Sequence, residues 1–104
     1  MAPHPHVFHV DRRQVVAAPL RLSLIAVPSL LGHVHRVCEQ PGNQLVVDLT
    51  GTLQVDRDVV WSLAWAARHT RHRGSRLVLV PPPPGVLDAV ALAALSILWW
   101  DWEQ

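Results

Sequence analysis

Hydrophobic positions change period several times along this chain. Val7-Phe-His-Val10 reads as a short strand, Asp11 to Gln14 as a polar turn, and Leu20 to Ile25 alternates as a second strand. The period then lengthens. Leu30, Leu31, Val34, Val37 and Cys38 fall at helical spacing, and Pro28 suits a first helical turn. Gly32 weakens that helix by about 1 kcal/mol relative to Ala. Gln40 to Asn43 is a turn signal. Leu45-Val-Val-Asp-Leu49 is an apolar run broken once, the pattern of a buried strand with a parallel neighbour.

After a loop over 50–56, a helix is predicted from Asp58 to Arg71. Val60, Leu63, Ala64 and Ala67 form its core stripe, with Trp61 and Trp65 one turn apart beside it. Basic residues close the helix and Gly74 stops it. Leu77 to Val80 is another buried strand, ended by Pro81 to Gly85. Val86 to Leu95 reads as a short helix and Ile97 to Trp102 as an edge strand. Strands alternating with helices predict an α/β sheet with helices packed against it.

The length of 104 residues suits one domain over 1–104, with residues 1–6 a frayed end. Half the residues are hydrophobic, enough for a single core. One cysteine, Cys38, excludes an internal disulfide and a CxxC metal knuckle. No apolar run has membrane-spanning length and no signal peptide is visible, so the expected location is cytoplasmic. The net charge of +1 is too balanced to predict nucleic-acid binding. A charged helix end exposed to water explains the Arg68, Arg71, His72, Arg73, Arg76 cluster as well as phosphate binding does, so nucleic acid is not an expected partner. The seven histidines form no set with fixed geometry, so no metal or other cofactor is expected.

The run Leu45-Val-Val-Asp-Leu-Thr-Gly51, then Val55-Asp56, a helix, and Arg73-Gly-Ser-Arg-Leu-Val-Leu-Val80 resembles the STAS family. This is the family of bacterial anti-sigma factor antagonists and sulfate-transporter C-terminal domains. Val46 to Gly51 matches the family's strand, Asp56 the Asp of its D-S-S-G loop, and Arg73-Gly74 the turn before its next strand. Pro84 to Leu87 and Leu92 to Leu95 sit where the family has its next helix. The resemblance covers about residues 28–100. It implies a STAS-like single domain: a central mixed β-sheet of four to five strands with helices packed against it. The family's final helix is expected to be absent. Arg57 occupies the position of the phosphorylated serine, with Asp58 and Val59 after it, so no Ser phosphoswitch of the usual kind is expected here. The G-E-L-D turn of many members is also missing.

The resemblance implies a docking surface over 56–65, made by Asp56, Arg57, Asp58, Trp61 and Trp65. Asp58 either caps the helix or supplies a permanent negative charge that locks one binding state. Trp61 and Trp65 either fold onto apolar neighbours or anchor a partner. Trp99, Trp100 and Trp102 belong either to an edge strand or to an assembly surface. No G-x-S-x-G, P-loop, G-x-G-x-x-G or HExxH is present, so an enzyme is not expected. The resulting expectation is a non-catalytic interaction module resembling an anti-sigma factor antagonist, with a protein partner such as an anti-sigma factor of the kinase type. The alternative is a degenerate structural subunit assembling through Trp-rich surfaces, and a homodimer is left open.

Overall fold

A computed structural model describes residues 13–99. Three parallel strands form its centre: β1 (Arg13–Ala17), β3 (Gln44–Asp48) and β5 (Arg76–Val80), in the order β1-β3-β5. Two further residues pairs make a second small parallel ladder between β2 (Arg21–Leu22) and β4 (Gln54–Val55). Three helices connect them: α1 (Val27–Val37), α2 (Arg57–His72) and α3 (Ala89–Leu95). The architecture is α/β. Every strand pairing among the described residues is parallel, where a mixed sheet of four to five strands was expected. The expected strand at Val7–Val10 lies outside the described residues.

The central strand β3 is apolar because both its faces are covered. Leu45 and Val47 join the helix-facing core with Leu77 and Leu79. Val46 and Val78, one residue out of phase, are buried on the other face, in register with the exposed Val15. Helix α2 lays Val59, Val60, Leu63, Ala66 and Ala67 onto this core. Helix α1 contributes Leu30, Val34 and Val37, with Pro28 in its first turn as expected. No helix among the described residues is long and apolar enough to cross a membrane.

The ends of the helices follow their local chemistry. Gly74 stops α2 at φ +80°, and Ser75 N–H bonds back to the Thr70 carbonyl while Gly74 N–H bonds to that of Arg71. This is a complete Schellman ending, which needs a left-handed residue at that position. Helix α3 begins at Ala89, later than the predicted Val86, because the Asp88 carboxylate caps it by accepting from Ala91 N–H at 2.8 Å.

Three expectations need correction. The polar turn at 11–14 is, from Arg13 onward, the start of β1, an edge strand whose polar residues hid its period. The strand at 20–25 shortens to Arg21–Leu22, followed by a 3₁₀ turn at Leu24–Ala26. The strand at 97–102 is not formed at its beginning: Ser96–Leu98 is a 3₁₀ turn, and Trp99 makes one parallel bridge to Leu79. The rest of that expected strand, Trp100 to Trp102, lies outside the described residues.

Candidate protein-docking surface

The surface begins where β4 hands the chain to α2. Asp56 is held by its own N–H, which donates to the Leu22 carbonyl at 2.9 Å, and by a 3.9 Å approach to the Arg21 guanidinium. Asp56, with extended backbone, is the residue that precedes the helix, and its carboxylate makes no capping bond. The expected cap, Asp58, lies instead inside the first turn. There its charge faces the positive end of the helix dipole. It is exposed, and its side chain has no hydrogen bond or ion pair among the described residues.

Helical spacing then sets the arrangement. Arg57, Trp61 and Trp65 recur every fourth residue and so share one face. Both indoles are 57% exposed, whereas their neighbours Val60 and Leu63 are buried. Neither indole folds into the core. Trp65 stacks instead on His69, one turn further, with ring centroids 5.1 Å apart and planes 7° from parallel.

Trp61 separates two apolar hollows. One, of about 660 Å³, lies between α2 and the start of α3 and is lined by Val55, Val60, Val86, Leu87, Val90 and Ala91, with Arg57 and Asp88 among its polar residues. The other, of about 280 Å³, is shared with α1 through Val27 and Leu31 and also touches Trp65. The structure thus places Asp56, Arg57, Asp58, Trp61 and Trp65 from the residue before α2 to the middle of that helix. It adds residues from α1 and α3 that sequence reasoning did not assign to a site. The sequence signal available was the i,i+4 pair Val27 and Leu31; the exposure of Val90, 68%, is visible only in the fold.

The hydroxyls near this surface differ in access. Thr52 is fully buried and donates to the Pro19 carbonyl at 2.9 Å. Thr50 is exposed, and its hydroxyl and N–H both donate to one Asp48 carboxylate oxygen, at 2.7 and 2.9 Å. The N–H bond, then the hydroxyl bond, hold the Asp48 carboxyl below its ordinary pKa. Cys38 is buried at the far end of α1, and burial pushes its thiol pKa up against a smaller opposing effect of Arg73. His33 is engaged between β1 and α1, its Nδ1 within 3.1 Å of Gln14 Nε2 and 3.0 Å of an Arg36 guanidinium nitrogen. No cluster of three or more metal-ligating side chains occurs among the described residues.

Comparison with family models, curated proteins and solved structures found no match.

Proposed function

We propose that the chain is a non-catalytic protein-interaction module resembling an anti-sigma factor antagonist, a diverged STAS-like domain. It docks an anti-sigma factor of the kinase type, or a similar bacterial regulator, through residues 56–65. The observation that carries this reading is Trp61, more than half exposed at the start of a long helix with an apolar hollow on either side. A large aromatic side chain on a rigid element is the kind of anchor that dominates protein interfaces. The order of elements also supports the reading: a buried strand ending at Asp48, a loop to Asp56, a helix, and the Arg73-Gly74 turn into β5. Arg57 replaces the family's phosphorylated serine, so docking is not switched at that position. The exposed charge of Asp58, without a partner among the described residues, is available to the regulator and fixes one binding state.

The test is affinity capture from the producing cell, with wild type beside an Arg57→Ser, Asp58→Ser double variant. Both residues are exposed, so the variant retains the core. Recovery of a regulatory protein by wild type, reduced at least several-fold with the variant, supports the proposal. Recovery of the chain alone as an oligomer supports the structural-subunit reading instead.

A further inference from the structure

The chain's net charge is small, but the fold does not spread it evenly. Arg13 and Arg76 open β1 and β5, and the parallel register places them on either side of Gln44. Arg36 lies in the last turn of α1, Arg68 and Arg71 in the last turns of α2, and Arg73 directly after it. The two turns that follow these helices abut. Gly42 N–H donates to the Gly74 carbonyl at 2.8 Å, and Arg76 N–H to the Asn43 carbonyl at 3.0 Å. Six arginines are thereby gathered at one end of the domain, where Glu39 is the one carboxylate among the described residues. Asp48, Asp56, Asp58 and Asp88 stand at the opposite end, after β3 and at the starts of α2 and α3.

Part of this charge answers the helices themselves. The C-termini of α1 and α2 each present about half a negative charge, so together they offset roughly one arginine. The remainder is a solvent-facing excess. Arg36, Arg68, Arg71, Arg73 and Arg76 are all exposed and have no carboxylate partner among the described residues.

The rest of the surface narrows the class of partner. No exposed large apolar side chain lies within 35–44 or 68–76. A protein interface needs an apolar centre and a bilayer an apolar face, whereas a phosphate backbone needs neither. Arginine's planar fork matches phosphate oxygens two at a time. Those stretches contain no Trp or Phe, and the neighbouring Trp65 is already stacked on His69, which favours a duplex over a single strand. We propose that this arginine-rich end binds the phosphate backbone of duplex nucleic acid without reading its sequence.

Fluorescence anisotropy of the full chain with a labelled duplex of about twenty base pairs and arbitrary sequence tests this. Saturable binding is expected, with a log–log salt slope near −4 for four to five phosphates, or roughly a two-hundred-fold loss between about 50 and 200 mM salt. The Arg73→Gln, Arg76→Gln double variant should flatten the slope by about two. A second pair, Arg36→Gln with Arg71→Gln, should do the same, and Trp61→Ser at the opposite end should leave binding unchanged. Absence of saturation at the lowest salt overturns the proposal. So does an unchanged slope in both arginine pairs when their far-ultraviolet circular dichroism matches wild type. Equal affinity for polyglutamate of matched charge also overturns it, assigning the surface to acidic protein.

Discussion

Gly74 lies against Pro41: a Cβ built on the glycine would sit 3.2 Å from the proline Cβ. The contact joins the turn after α2 to the turn after α1, and the Gly42 to Gly74 hydrogen bond runs beside it. Gly74 also holds φ at +80°, where a side chain is strained whatever the space. Gly74→Ala should therefore lower stability by about 1–2 kcal/mol, with little change in the denaturant slope. Urea unfolding followed by circular dichroism measures it.

Ser75 ties the same two turns from inside. It is buried, and its hydroxyl lies 3.0 Å from the Val37 carbonyl and 3.2 Å from that of Gln40. Ser75→Ala removes the donor and leaves acceptors at the end of α1 unmatched. The expected cost is about 1–3 kcal/mol. The expected loss of protection in hydrogen exchange centres on residues 37–44.

Asp48 gives a pH signature. Its folded pKa is depressed by the two donors of Thr50, so it stabilises the fold above the unfolded carboxylate pKa. That contribution is lost as pH falls through the lower folded value. Thr50→Val deletes the hydroxyl donor and keeps the N–H, so the Asp48 pKa should rise part of the way to its ordinary value. Carboxyl carbon shifts followed by NMR titration read this directly. An unchanged titration would mean the hydroxyl bond does not form in solution.

Trp61 separates binding from folding. Trp61→Ser at a half-open site should change stability by about 0.5 kcal/mol or less, yet weaken partner binding by about 2 kcal/mol or more. Leu63→Ala, two residues on and fully buried, should reverse this, costing about 2–5 kcal/mol of stability. Chemical unfolding and calorimetric titration of the two variants distinguish the roles.

Much of the α/β frame was legible because its signals were strong and local. The strands β3 and β5 are apolar on both faces, α1 carries Pro28 in its first turn, and Gly74 follows the end of α2. The edge strand β1 was not legible. Its side chains alternate between open and half-covered, and Arg13 and Gln14 stand where a buried strand would carry apolar residues. Asp58 resembled a cap because two aspartates flank Arg57, and only the backbone of Asp56 decides which one precedes the helix. The face of α2 carrying Arg57, Trp61 and Trp65 followed from spacing alone. The hollows beside it depended on how α1 and α3 pack, which a linear pattern does not contain.

The most direct measurement is hydrogen–deuterium exchange of the chain, free and bound to the regulator it captures. New protection is expected in residues 57–65 and in the facing segments at 27–31 and 85–91, with Trp61→Ser abolishing it. Protection confined to 36–44 and 71–76, or a complex that survives Trp61→Ser unchanged, would contradict it.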